Sequence, residues 1–394
     1  MVAEKGSNPV KTNIKVIVAL TMVHFIGDFY ASFINPLLPA FEEQFSLSLM
    51  QVGLITGTSR LLAFIVQPSV GYLADNYRTR WFVLGGPLLA IFFISLVGAA
   101  PNFSVLLLFI CLGSIGTSMY HPPAAGMITT YAGRHFGTSM SIFHLGGTIS
   151  FGLGPFFITY LVGTYGLGVT PLTMVIGLGV MVYLFFIVPH PQGEGLSKYG
   201  FLGSIREALG AVWKSIVIIW LVMVLRAFVG QSFQTFVPVM LVQEGYSLIS
   251  AGAMIACFSL AGALGGLLAG YISDKIGYRY VFMGSFFLTT PCLYLLLLLP
   301  GNWVYLGSGL SGFFLMAMLP MGVALAQELA PKGKSLVSSL MMGLAFGAGG
   351  MMAPVTGSFA DIYSLRTVLE IIAVIPLFLI GLVVFFPGKA AKAI

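Results

Sequence analysis

Charge and cysteine are both scarce in this chain of 394 residues. Asp, Glu, Lys and Arg make up 8% of the sequence, whereas an ordinary soluble domain contains about 25% of these residues. The three cysteines form no Cys-x-x-Cys pair and have no histidine cluster beside them, which excludes a disulfide-stapled fold and a cysteine-based metal site. Hydrophobic residues make up 58% of the chain, so a disordered protein and a water-soluble enzyme are excluded as well. The composition therefore predicts a membrane protein that crosses the bilayer several times.

Apolar runs long enough to cross a bilayer recur along the whole sequence. A transmembrane helix needs about 20 mostly apolar residues, and in lipid only helices satisfy the backbone of runs this apolar. Transmembrane β-barrels show short alternating segments instead, and the sequence has none. We therefore predict an all-α polytopic membrane protein with twelve transmembrane helices. The predicted spans are 14–41, 48–74, 80–99, 104–129, 137–164, 169–189, 214–241, 247–273, 279–299, 303–328, 335–360 and 367–386.

The basic residues lie almost entirely on one side of these spans. Of the 18 Lys and Arg residues, 15 fall in the two tails and in the segments that follow even-numbered spans. The positive-inside rule then places both termini in the cytoplasm. This arrangement accounts for the net charge of +6 without a nucleic-acid partner. Lys5, Lys11 and Lys15 precede a first span that is too long for the core of a cleaved signal peptide, so we expect no such peptide.

The second half of the sequence repeats the first. A shift of 199 residues, without gaps, superimposes the two halves over five spans. We therefore predict two pseudo-symmetric six-helix bundles, at 1–189 and 214–394, joined by a cytoplasmic connector at 190–213. Parallel repeats of this kind occur in transporters, which bind substrate near the bilayer midplane between the halves. The matched pairs include Gly71/Gly270, Asp75/Asp274, Arg80/Arg279 and Pro155/Pro354.

Polar and ionisable side chains within the spans are few, and they are functional candidates because burying them in lipid is costly. Asp28 is the only acid in the middle of a predicted span, and His24 lies one helical turn away on the same stripe. The other stripe residues are Asn35 in the first span, Thr56, Arg60 and Gln67 in the second, Ser114, Ser118 and His121 in the fourth, Ser141, His144 and Thr148 in the fifth, and Arg226, Gly230 and Gln234 in the seventh.

These candidates predict two kinds of site. Asp28 is the candidate for proton coupling, with His24 as a relay, because a buried carboxyl can alternate between a neutral acid and an anion. Arg226 is the first candidate to attract an anionic substrate and Arg60 the second, since a guanidinium keeps its charge at membrane depth. We expect Arg226 to face the central pathway, because it lies one position from the repeat equivalent of Asp28. A static ion pair between Asp28 and either arginine is the structural alternative. Further candidates for substrate contact are Asn35, Tyr120, His121, His144, Gln231 and Gln234.

Two duplicated loops resemble the G-x-L-x-D-R-x-G-R-R loop of the major facilitator superfamily. They read Gly71-Tyr-Leu-Ala-Asp75-Asn-Tyr-Arg-Thr-Arg80 and Gly270-Tyr-Ile-Ser-Asp274-Lys-Ile-Gly-Tyr-Arg279. The first copy departs from the pattern at Asn76 and Arg78, whereas the second keeps Lys275 and Gly277. The resemblance implies that spans 1, 4, 7 and 10 line a central cavity. It also implies a gating role for Gly71, Asp75, Arg80, Gly270, Asp274 and Arg279.

A more specific resemblance extends over nearly the whole chain, to the fosmidomycin resistance transporters. The motifs that carry it include His24-Phe-Ile-Gly-Asp28, Tyr120-His121-Pro122 and Ala345-Phe-Gly-Ala-Gly-Gly350. It implies a proton-coupled exporter of small anionic or amphiphilic antimicrobials in a bacterial inner membrane. The expected partners are a small-molecule substrate, protons and the lipid bilayer, with no cofactor or metal, and we expect a monomer. Pro123 stands where the family pattern has an acid, so any coupling role of that acid passes to another residue here.

The residues leave three functions open. The first is the proton-coupled exporter. The second is a proton-coupled importer of a small organic anion, which would use the same aspartate and arginines. The third is a membrane receptor or lipid-handling protein that transports nothing. Substrate flux under an imposed pH gradient distinguishes them, because export runs against the proton flow, import runs with it, and a receptor shows neither.

Overall fold

The computed structural model describes residues 12–76, 80–190, 210–330, 337 and 340–387. These residues include twelve helices that are long and apolar enough to cross a membrane, which confirms the predicted number of spans and their positions to within a few residues. The predicted connector lies mostly outside the described residues. In chain order, α1 to α12 are Ile14–Phe45, Leu49–Val70, Trp81–Ala99, Phe103–Ile128, Thr138–Tyr165, Leu167–Ile187, Trp213–Gln243, Leu248–Ile276, Tyr278–Leu298, Trp303–Leu329, Leu340–Ile362 and Leu365–Val383.

Two of the helices are interrupted next to the polar residues singled out above. Helix α1 consists of Ile14–Ala31 followed by Ile34–Phe45. Helix α4 lies within two consecutive helical segments, Phe103–Met119 and His121–Tyr131, with a proline in the first turn of the second segment. Proline is tolerated there because the first N–H groups of a helix have no partner within it. The break places Tyr120 and His121 where α4 changes segment.

The twelve helices form two six-helix bundles, α1–α6 and α7–α12, that meet along two long seams. Helix α2 packs on α11, and α5 packs on α8, while the second segment of α1 also contacts α7. Small residues allow this close approach. A Cβ atom on Gly53 would lie 2.4 Å from the carbonyl oxygen of Ala353, and one on Gly252 would lie 2.1 Å from Oγ1 of Thr159.

The two membrane faces differ in how tightly the bundles are joined. We call the face with the described chain ends, 12 and 387, the terminal face, and the face with the α1–α2, α7–α8 and α11–α12 loops the distal face. At the distal face, the backbone N–H groups of Leu49 and Met50 donate to the Asp361 carboxylate, at 2.8 and 2.9 Å. The amide of Gln243 also donates to Glu42, at 2.7 Å. The first two contacts hold the backbone N–H groups at the beginning of α2 to the opposite bundle. The third holds the end of α1 to the end of α7.

The described contacts of the α5–α8 seam lie toward the distal face. Thr159 on α5 lies against Gly252 on α8, and Gly152 lies against Leu260. Helical spacing continues the same stripes toward the terminal face, to Leu145 on α5 and to Leu264 and Leu267 on α8. These three side chains are 54%, 63% and 75% exposed, so the seam leaves them largely uncovered.

Candidate functional site

A cluster of polar side chains surrounds Asp28 inside the first bundle. The first segment of α1 places His24 and Asp28 one turn apart, and both are buried, with 6% and 5% exposure. The break in α4 brings Tyr120 and His121 onto the same carboxylate. We call these four residues the acid cluster. The structure thus joins the proposed coupling residues to two of the predicted substrate candidates.

Each oxygen of the Asp28 carboxylate has its own partners. Nε2 of His24 lies 3.1 Å from Oδ2. The Tyr120 hydroxyl donates to Oδ1 at 2.5 Å, and Nε2 of His121 lies 3.3 Å from the same oxygen. Neither Arg60 nor Arg226 forms a salt bridge with Asp28 among the described residues. Histidine and tyrosine partners therefore replace the arginine ion pair that we considered from the sequence.

Helix α5 completes the surroundings of His24. Its Nδ1 nitrogen lies 2.8 Å from the backbone carbonyl oxygen of Phe143, and its ring stacks on the Phe143 ring with centroids 4.2 Å apart. The ring of His144 is 6.2 Å from that of His24 and is exposed. The His121 side chain is 30% exposed, so the first bundle does not fully enclose the acid cluster.

Gly147 has no side chain, and the acid cluster occupies the space that a side chain would fill. A Cβ atom at this position would lie 2.6 Å from Nε2 of His24 and 2.7 Å from Oδ2 of Asp28. Any side chain here would therefore displace the pair. Glycine at this position of α5 is explained by the approach of two side chains from α1.

The same cluster is also the only group among the described residues with metal-ligand types at close spacing. One ligand atom each from His24, Asp28 and His121 lie within 4.8 Å of one another. These atoms are close enough together to bind one small cation in common. The ring nitrogens and the carboxylate oxygens lie at hydrogen-bond distances, which fit a proton as the cation between them.

Arg60 lies where the two bundles meet. Its Nε donates to Oε1 of Gln231 on α7, at 3.1 Å, and its guanidinium lies 4.7 Å from the ring centroid of Phe346 on α11. The glycine at 350 leaves room for its methylene groups, because a Cβ there would lie 2.4 Å from Cγ of Arg60. An arginine from one bundle is thus held by two helices of the other.

Arg226 is enclosed within the second bundle, with 0% exposure. Its Nη1 reaches the carbonyl oxygen of Leu315 at 3.4 Å and the sulfur of Met316 at 3.8 Å, both on α10. Its Nε and Nη2 atoms are buried without a hydrogen-bond partner. In this conformation α10 covers the Arg226 side chain, and its position on the central pathway stays a prediction.

The remaining sequence candidates are spread over the molecule. Asn35 and Gln234 are partly exposed, on the second segment of α1 and on α7. Arg80 donates to the carbonyl oxygens of Phe185 and Val188, at 3.0 and 3.2 Å, so it holds the end of α6 within its own bundle.

The duplicated loops are described unequally. Asp274 is exposed at the end of α8, Gly270 lies in open space on the same helix, and Arg279 is at the start of α9. Gly277 has a φ of 92°, which favours glycine and turns the chain directly from α8 into α9. The surroundings of Gly71 and the side chain of Asp75 lie outside the described residues.

Sequence reasoning missed four parts of these sites: the Phe143 carbonyl, Gly147, Phe346 and Asp361. A backbone carbonyl carries no residue-type signal, and Phe346 reads as one more apolar residue in an apolar helix.

The arrangement of helices and polar groups is that of a membrane transporter. A model of the Major Facilitator Superfamily matches residues 20–257 and 245–393, so the chain belongs to this superfamily. It is a multi-pass membrane protein and a transporter rather than an enzyme.

Similar proteins span almost the full length of the chain. The fosmidomycin resistance protein of Escherichia coli (strain K12) is 29% identical over 99% of this chain and 97% of its own. An uncharacterised MFS-type transporter of Bacillus subtilis (strain 168) is 27% identical over 96% and 93%. Among solved structures, the nucleoside transporter NupG superimposes with a TM-score of 0.78 at 16% identity, covering 95% of this chain and 100% of that one. A bacterial homologue of the lysosomal transporter Spinster, in an inward-facing and occupied conformation, gives a TM-score of 0.76 at 18% identity, covering 97% and 95%.

Proposed function

We propose that this protein is a proton-coupled secondary transporter that exports small anionic or amphiphilic compounds in exchange for protons. The observation that carries the proposal is the acid cluster, a buried carboxylate held by two histidines and a tyrosine. Similarity to a fosmidomycin resistance protein over 99% of the chain supports export of small phosphonate-like anions.

Asp28 and His24 form the proton site in this proposal. A carboxylate in a low-dielectric interior is stable only when it is paired, so gain or loss of a proton changes the balance between conformations. In this proposal His121, whose side chain is partly exposed, and His144, which is exposed, connect this pair to the open side. Protonation and opening are therefore linked through the same helices, α1, α4 and α5.

Arg60 and Arg226 are the proposed anion-binding groups. Arg60 lies at the junction of the bundles, where a substrate between them would meet it, with Gln231 as a neutral neighbour. Arg226 has two nitrogen atoms, Nε and Nη2, without a hydrogen-bond partner, and the residue is 0% exposed. Leaving a buried charge unpaired is costly, and an anion supplied in another conformation would remove that cost. Asn35, Gln234 and His144 are further proposed contacts.

We further propose the following orientation and organisation. The chain lies in a bacterial inner membrane as a monomer with both termini in the cytoplasm, so the terminal face is cytoplasmic and this conformation is open to the inside. Residues 1–189 and 214–394 act as the two moving units, linked by 190–213. The duplicated loop residues Gly71, Asp75, Arg80, Gly270, Asp274 and Arg279 act as latches when the cytoplasmic side closes.

Purified protein in proteoliposomes tests the function, with fosmidomycin as the probe. Vesicles with an acidic interior and an alkaline exterior should accumulate fosmidomycin in the lumen, because protons leave as the compound enters. The Glu43→Gln variant, an exposed change on α1 far from the acid cluster, should behave like the unchanged protein. No accumulation under either sign of pH gradient would contradict the proposal for this compound class.

The alternative is a proton-coupled importer of a small organic anion, which uses the same residues. It predicts the opposite sign, with accumulation in vesicles that have an alkaline interior. The same vesicles therefore separate the two functions in one experiment.

A further inference from the structure

The hydrogen bonds of His24 determine where its protons lie. Nδ1 is 2.8 Å from the carbonyl oxygen of Phe143, and both groups are buried. A carbonyl oxygen only accepts hydrogen bonds, so Nδ1 carries a hydrogen and donates it. A neutral imidazole has one N–H group, which leaves Nε2 with a lone pair.

That lone pair would face a second hydrogen-bond acceptor. Nε2 lies 3.1 Å from Oδ2 of Asp28, within hydrogen-bond range. An ionised carboxylate only accepts hydrogen bonds. Two acceptors at this distance repel each other, and in a buried site neither can turn to water instead.

The neighbouring groups do not resolve the conflict at Oδ2. The titratable and charged groups around the pair are Tyr120 and His121 from α4, His144 from α5 and Arg60 from α2. Tyr120 and His121 both contact Oδ1. The contact between Oδ2 and Nε2 therefore needs a proton of its own.

We infer that His24 and Asp28 hold one proton between them in this conformation, and that the Phe143 carbonyl is the positioning group that keeps it there. The proton makes the buried pair neutral overall, whether it lies on the ring or on the carboxyl. This inference stands on the hydrogen-bond geometry, whereas the meaning of the proton for transport rests on the proposed function.

Loss of this proton must break one of the two hydrogen bonds of the His24 ring. If His24 keeps its hydrogen on Nδ1, Nε2 repels Asp28 within α1. If the hydrogen moves to Nε2, the contact between α1 and the Phe143 carbonyl on α5 is lost. Helix α5 packs on α8 of the other bundle, so this second change acts on a helix at the contact between the two bundles.

Ring-nitrogen NMR on protein with isotope-labelled histidine in lipid bilayers tests the inference without any transport measurement. The chain has five histidines, and His24→Asn assigns the His24 signals by their disappearance. At about pH 8, where an imidazole in water is neutral, we expect Nδ1 to be protonated, and we expect either Nε2 to be protonated or an infrared band from a protonated Asp28 carboxyl. A bare Nδ1, or a bare Nε2 without that carboxyl band, would overturn the inference.

Asp28→Asn is the matched change, because an asparagine amide can donate a hydrogen to Nε2 and no shared proton is then required. In this variant we expect a neutral His24 with a bare Nε2. Glu43→Gln, on the same helix, should leave the His24 signals unchanged. An Asp28→Asn variant that keeps Nε2 protonated at the same pH would also overturn the inference. A shared proton in a protein whose fosmidomycin flux ignores the pH gradient would instead contradict the proposed function alone.

Discussion

At the scale of single residues, Asp28 shows how an acid is accommodated inside a membrane protein. Its two oxygens meet His24, His121 and Tyr120, so each oxygen that loses water gains at least one partner. Arg226 shows the opposite situation, with two buried nitrogen atoms that have no hydrogen-bond partner. Buried polar groups with hydrogen-bond partners stabilise one conformation. Buried polar groups without partners favour a change of conformation or the binding of a ligand.

Gly147→Ala tests whether the close approach of His24 and Asp28 matters. The added methyl group would meet both side chains within 2.7 Å, and overpacking of this kind costs about 1–3 kcal/mol. We expect at least a tenfold loss of pH-driven fosmidomycin flux, with the protein still folded in a thermal unfolding assay. Gly179→Ala, which adds the same methyl group in open space on α6, is the control. Equal flux in the two variants would show that the spacing of the pair is unimportant.

The residue pattern predicted part of the acid cluster and could not predict the rest. His24 and Asp28 share one helix, so spacing alone placed them together. Tyr120 and Phe143 come from other helices, and only the packed bundle shows that they reach the same pair. The repeat put Arg226 level with Asp28, yet depth along a helix says nothing about which neighbour covers the side chain.

At the scale of helices, the beginning of α2 is held by the other bundle. The Asp361 carboxylate accepts from the N–H groups of Leu49 and Met50, which are among the groups that a helix leaves unpaired. An acid at a helix N-terminus is also favoured by the helix dipole. This contact closes the distal face without any side-chain charge on α2.

Asp361→Ala should therefore favour opening of the distal face. Loss of a cap costs about 0.5–2 kcal/mol, which corresponds to a severalfold rise in the distal-open population. Spin labels at Glu43 and Trp303, one on each bundle, would report a longer distance distribution. Glu244→Ala is the control, since its partner Arg366 belongs to the same bundle. Identical distance distributions in the two variants would show that Asp361 does not keep the distal face closed.

At the scale of the whole molecule, hydrogen bonds join the two bundles at the distal face, whereas the side chains of the α5–α8 seam nearer the terminal face are largely exposed. The twelve spans, the repeat and the bundle plan were predictable, because lipid enforces the length of each helix and the charge pattern orients it. The conformation was not predictable, because one sequence must support both open and closed seams.

The proposed orientation predicts a sided labelling pattern. Ser46 lies in the α1–α2 loop of the distal face, and Lys198 lies in the predicted connector. With intact cells and a thiol reagent that does not cross membranes, a cysteine at Ser46 should react and one at Lys198 should not. The unchanged protein, whose three cysteines lie within spans, gives the background. Reaction at Lys198 but not at Ser46 would reverse the orientation.

Proton movement driven by substrate tests the coupling claim most directly. Proteoliposomes loaded with fosmidomycin and a pH-sensitive dye are diluted into buffer without the compound, at equal pH on both sides. Exchange predicts that the lumen acidifies as fosmidomycin leaves, in the unchanged protein and in Glu43→Gln, and that Asp28→Asn shows no acidification. An alkaline shift would mean that protons travel with the compound, and acidification that persists in Asp28→Asn would contradict Asp28 as the proton site.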